Sequence, residues 1–113
     1  MIHAAQSANP DWRPFSCEVT PDRDVVRVEP AGEIDMATAP KIEAVLAELR
    51  DSGFQQVVLD LKDVTFIDSS GMRAVVKALS EAGADGRTLT VLPGPPQVQR
   101  GFDVAGLAPL VFP

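Results

Sequence analysis

The run Val57-Val58-Leu59-Asp60-Leu61, followed by Val64-Thr65-Phe66-Ile67-Asp68-Ser69-Ser70-Gly71-Met72, decides the fold. Four of its first five residues are apolar and the run opens on two β-branched valines, the profile of a buried, central strand. A turn at 65–71 then opens a helix, because Met72, Val75, Val76 and Leu79 recur at i, i+3, i+4 and i+7 on one face. Gly83 and Gly86 punctuate its end. A buried strand feeding a helix is the repeating unit of an α/β domain.

Upstream, Ile42, Val45, Leu46 and Leu49 mark a second amphipathic helix. Thr38 suits its N-cap, Pro40 suits its first turn, and Asp51-Ser52-Gly53 closes it. Residues 15–20 read as a first strand, Pro21-Asp22-Arg23-Asp24 as a turn, and Val25, Val26 and Val28 as a second strand ending at Pro30-Ala31-Gly32. Downstream, Thr88–Leu92 reads as a strand stopped by Pro93-Gly94-Pro95-Pro96. A weaker helix follows over 97–105, with Gly106 as its cap and a terminal strand expected over 110–112. The order predicts an α/β fold with a mixed sheet of about four to five strands and helices packed on it. Its inner strands are expected to be mainly parallel and its N-terminal pair antiparallel. Residues 1–13, rich in Ala, Gln, Ser, Asn and Pro, are expected to be a flexible tail carrying His3 and Trp12, with the domain over 14–113.

The 113 residues, 45% of them hydrophobic, fit one compact domain. Cys17 is the only cysteine, which excludes an intramolecular disulfide and a multi-cysteine metal site. Lys and Arg total 10 against 16 Asp and Glu, so the formal net charge is −6. That balance repels a phosphate backbone, and no basic run interleaved with aromatics offsets it, so no nucleic-acid partner is expected. No apolar stretch approaches the ~20 residues that span a bilayer, and the first nine residues lack the pattern of a signal peptide. The expectation is a cytoplasmic protein without membrane insertion.

The chemistry concentrates after the strand at 57–61, where α/β sheets favour sites. Taken alone, Asp68, Ser69 and Ser70 ahead of an apolar helix face are ordinary capping residues. Gly71 is less routine, since glycine costs ~1 kcal/mol against alanine inside a helix. A missing side chain there would let a partner approach the helix start. Enzyme templates fail. There is no Gly-x-Ser-x-Gly elbow, no phosphate loop and no dinucleotide fingerprint, and His3 is the only histidine. Asp35, Asp60, Asp63 and Asp68 are too dispersed to argue for a magnesium cluster, and solvated carboxylates and caps explain them better. A phospho-accepting receiver domain also ends a central strand in Asp, as Asp60 does. It would further need an acidic pair after the first strand and a lysine after the late strand, where Pro93 and Gly94 stand.

The stretch from Val57 to Met72, together with Gly32-Glu33-Ile34-Asp35 and Thr38-Ala39, resembles the STAS domains, over a span from about Phe15 to the C-terminus. A short chain with this segment is most similar to the anti-sigma factor antagonists of that family. The resemblance implies a regulatory protein, not an enzyme, with no cofactor. Its unmodified form would bind an anti-sigma factor, a serine kinase with a histidine-kinase-like ATPase fold, and so release a sigma factor. Phosphorylation by that kinase would end the complex, and a metal-dependent serine phosphatase would reverse it. Carried over by motif position, the acceptor is Ser69, and the partner-binding face comprises Asp35, Asp68, Ser69, Ser70, Gly71 and Met72. Met36-Ala37 is less polar than this loop often is in the family, and Pro40 is unusual there. The alternative is a non-phosphorylated STAS adaptor in an ABC-type membrane transport complex.

Overall fold

A computed structural model describes residues 14–113; the expected tail at 1–13, with His3 and Trp12, lies outside the described residues. The elements run β1 (Ser16–Asp22), β2 (Val25–Ile34), α1 (Ala39–Asp51), β3 (Gln56–Asp60), β4 (Asp63–Ile67), α2 (Ser69–Ala84), β5 (Thr88–Leu92), α3 (Pro96–Val104) and α4 (Ala108–Val111). Among the described residues the sheet has five strands in the order β1-β2-β3-β5, with β4 also paired to β2, and only the β1–β2 pair is antiparallel. This is the mixed α/β architecture expected from the alternation of strands and helices.

β2 organises it. Alternate residues Val26, Val28, Pro30, Gly32 and Ile34 are buried, while Arg27, Glu29 and Glu33 face the other side. This alternation is what a sheet covered on one face requires. On the covered side, Ile42 and Leu49 of α1, Ala74 and Val75 of α2, and Val98 and Phe102 of α3 join Leu59, Leu61, Val64, Ile67 and Val91 in one core. Phe102 meets Phe112 edge to face at 5.1 Å between ring centroids. Cys17 packs at the margin of this core, and burial raises its thiol pKa. Gly53, with φ at +87°, takes the left-handed position that ends α1, as its place in the sequence suggested.

Four local expectations need correction. First, residues 63–67 form a strand and not part of a turn. Ala31 and Gly32 of β2 pair with Asp63 and Val64, then the register shifts so that Glu33 and Ile34 meet Phe66 and Ile67. The bulge at Thr65 puts the buried Val64 and Ile67 three residues apart, which breaks the period of two. Second, β2 does not stop at Pro30 but runs on to Ile34. β3 pairs with it up to Val28 and β4 from Ala31, so neither parallel partner registers against Pro30. Third, β1 runs through Pro21 to Asp22, which shortens the turn to Arg23-Asp24. Fourth, the expected terminal strand at 110–112 is replaced by the helical turn Ala108–Val111, with Pro109 in its first turn.

The outer face of the sheet carries a charged knot. Asp60 is buried, yet its carboxylate accepts from the Arg27 guanidinium at 2.8 Å, from Lys62 Nζ at 3.3 Å and from the Lys62 backbone N–H at 3.0 Å. Lys62 also bonds Glu29, which holds the Glu29 carboxyl below the usual range. A buried carboxylate needs such partners, because an unpaired charge is costly away from water. Lys62 would still hold Asp60 if Arg27 were lost, so Arg27→Met should lower stability by roughly 1–3 kcal/mol in urea titrations. A change within a few tenths of that unit would show the knot to be dispensable.

Candidate functional site

The segment 68–72 joins the end of β4 to the start of α2. Asp68 is the N-cap, in extended backbone, and its Oδ1 accepts from the Gly71 N–H at 3.0 Å. This satisfies one of the first-turn donors that a helix leaves free. Ser69 is the first residue of α2 and is exposed; Ser70 is half-buried. Met72 is half-buried and packs against the core, so only part of it is available to a partner.

The Asp68 backbone N–H donates to Ile34 O at 3.1 Å, which seats this segment beside the end of β2. Asp35 therefore stands next to Asp68, although the two are far apart in the chain. The loop that carries Asp35 is tied internally. Asp35 Oδ1 accepts from the N–H groups of Ala37 at 2.9 Å and Thr38 at 3.0 Å. The Asp35 N–H donates to Thr38 Oγ1 at 2.9 Å, and that hydroxyl donates to Glu33 O at 2.8 Å. The bond from the Thr38 N–H is the leading reason that the Asp35 carboxyl titrates below its ordinary range, with partial desolvation opposing it. Thr38 does occupy the N-cap of α1, as expected, but its side chain caps nothing. Its hydroxyl ties the loop back onto β2.

Gly71 differs from expectation in its reason. It is buried, and a Cβ built on it would lie 2.7 Å from Ile34 Cγ2, 2.7 Å from Ile67 Cγ1 and 2.9 Å from Ile34 O. The missing side chain admits the ends of β2 and β4 from inside the domain, and does not open room for a partner. The structure thus brings Asp35, Asp68, Ser69 and Ser70 onto one ridge, with Gly71 beneath it. Two apolar residues flank this ridge and were not among the expected partner-binding residues: Met36, 77% exposed, and Phe66, 50% exposed. Their signal was present but weak, being single apolar residues in what read as loops.

Comparison with known proteins adds a family. The sequence model of the STAS domain matches residues 16–113. An anti-sigma-B factor antagonist from Staphylococcus epidermidis is 32% identical over 88 residues, covering 78% of this chain and 82% of the relative. Among solved structures, an anti-sigma factor antagonist from Mycobacterium paratuberculosis superposes with a TM-score of 0.77 at 26% identity, over 92% of this chain and 86% of that one. The Bacillus cell fate determinant SpoIIAA in its phosphorylated form gives 0.64 at 25% identity, over 85% and 86%.

Two measurements check this geometry. In Gly71→Ala the gain in helix propensity is outweighed by contact with backbone, so unfolding should show a loss of roughly 1–3 kcal/mol. Asp35 has a depressed folded pKa, so its contribution is present above the unfolded value of ~3.9 and is lost as pH falls through the folded value. Wild type should therefore exceed Asp35→Asn in stability at neutral pH, and the gap should close below about pH 3.9; a gap independent of pH would contradict the assignment.

Proposed function

The chain belongs to the STAS domain family, and on that premise we propose that it is an anti-sigma factor antagonist switched by phosphorylation of Ser69. The observation that carries this reading is an exposed serine at the first position of α2, on a ridge built from two acidic turns clipped together by Ile34 O and the Asp68 N–H. The similarity to proteins named as antagonists, one solved in a phosphorylated form, supports it.

In the unmodified state the ridge of Asp35, Asp68, Ser69 and Ser70, flanked by Met36 and Phe66, is the surface covered by an anti-sigma factor. The partner is a serine kinase with a histidine-kinase-like ATPase fold. The Ser69 Oγ attacks the γ-phosphorus of ATP, the Oγ–P bond forms, the bridging P–O bond breaks to release ADP, and the hydroxyl proton passes to a base of the kinase. This chain supplies the nucleophile and is the substrate. Hydrolysis by a metal-dependent serine phosphatase returns the hydroxyl.

The added group carries about −1.5 to −2 charge at pH 7. Placed at a helix N-terminus it suits the local dipole, so the fold tolerates it. Buried against a partner, the same charge is desolvated and sits beside Asp68, so the complex is weakened. Electrostatics at the contact, and no refolding of the domain, constitutes the switch.

Ser69→Ala should bind an anti-sigma kinase encoded nearby with wild-type affinity and take up no phosphate from ATP. Ser69→Asp should bind at least tenfold more weakly, since a buried unpaired charge costs more than the ~1.4 kcal/mol of one decade. Equal binding of both variants in calorimetry would end the proposal, as would phosphate mapped to another residue.

A further inference from the structure

We propose that Arg73 is the intramolecular partner of the phosphate on Ser69, a positioning residue that holds the added group over the first turn of α2. This rests on the reading of Ser69 as the acceptor. Ser69 opens α2 and Arg73 lies four residues further along it, and both are exposed. Residues at i and i+4 on a helix are surface neighbours about 5–6 Å apart at Cβ. Helical side chains lean toward the N-terminus, so the Arg73 guanidinium can reach back over the turn that carries Ser69.

Among the described residues Arg73, like Arg23 and Arg100, makes no ion pair, whereas Arg27, Arg50 and Arg87 each face a carboxylate; of these unpaired arginines only Arg73 lies on α2, whose Lys77, one turn further on, faces Glu43 at 3.5 Å. The acidic neighbour that would otherwise attract Arg73, Asp68, already turns one carboxylate oxygen inward to the Gly71 N–H. The ridge thus has a cation of its own without an ion-pair partner among the described residues, placed where a phosphate would be added.

The chemistry fits in sign, order and shape. An anion N-terminal to a cation at i, i+4 is the more favourable orientation, because each then complements its end of the helix. A guanidinium matches two phosphate oxygens through a planar fork, which an ammonium does not. Arg73 offsets the repulsion of the phosphate by Asp35 and Asp68. The phosphorylated state is then a defined surface, with the charge fixed across the ridge where a partner would have to sit.

The test places phosphoserine at position 69 during translation, so it needs no kinase. Urea unfolding of the phosphorylated and unphosphorylated forms gives, for each background, the ratio of their folding equilibrium constants. That ratio should fall about two- to fivefold in Arg73→Gln relative to wild type, with Arg73→Lys between them. The difference should shrink in about 1 M salt. The Arg73 side-chain Nε–H resonance should move on phosphorylation in wild type at low salt. An equal ratio in all three backgrounds, or an unmoved Nε–H resonance, would overturn the proposal. A failure of the acceptor reading would show instead as absence of phosphate on Ser69 after exposure to the kinase, which leaves this measurement intact.

Discussion

The first turn of α2 lies against the last residues of β2 and β4 with no side chain between them, and much else follows from that contact. Gly71 is what permits it, since any Cβ would strike Ile34 and Ile67. With the helix start seated so closely, the Asp68 N–H reaches Ile34 O and the Asp68 carboxylate can cap the helix at the same time. One small residue thereby sets the spacing between the two loops that form the ridge. The acidic turn at Asp35 and the serine turn at Ser69 are then held in a fixed relation by packing and do not depend on a partner to align them.

Such a support suits the gain and loss of charge proposed for Ser69. The turn at Asp35 is closed by Thr38, which bonds β2 on one side and the Asp35 N–H on the other. The turn at Ser69 is closed by its cap. Neither relies on the Ser69 hydroxyl, so modifying that oxygen disturbs the surface and leaves the scaffold in place. The charged knot of Asp60, Arg27, Lys62 and Glu29 contributes from the opposite face of the sheet, where it fixes the junction between β3 and β4.

The two long helices were legible because their apolar residues keep a period that packing on one sheet face enforces, and the buried β3 was legible as a continuous apolar run. β4 was not. Its bulge at Thr65 separates Val64 from Ile67 by three residues, so neither alternation nor helical spacing is obeyed. Pro30 read as a stop because prolines seldom sit inside sheets, yet here it falls between the stretches that pair with two successive partners. The C-terminal Leu110-Val111-Phe112 was too short for a period to separate strand from helix, and Pro109 at the start of α4 was the better guide. At the site, resemblance singled out the residues, but only the geometry separates exposed Ser69 from half-buried Ser70 and turns Gly71 inward. Contacts between segments distant in the chain leave no local trace in sequence.

The division of β2 between partners also sets an order of events during folding. Its pairing with β1 is a local hairpin across Arg23-Asp24, which closes early because the loop is short. Its pairings with β3 and β4 must wait for the crossover through α1, and the bond from the Asp68 N–H to Ile34 O belongs with that late, non-local set. The ridge therefore comes into existence only when the sheet is complete. On the reading proposed above, a nascent or partly unfolded chain would present Ser69 without the neighbouring loop that completes the ridge, so recognition of the ridge would select folded molecules.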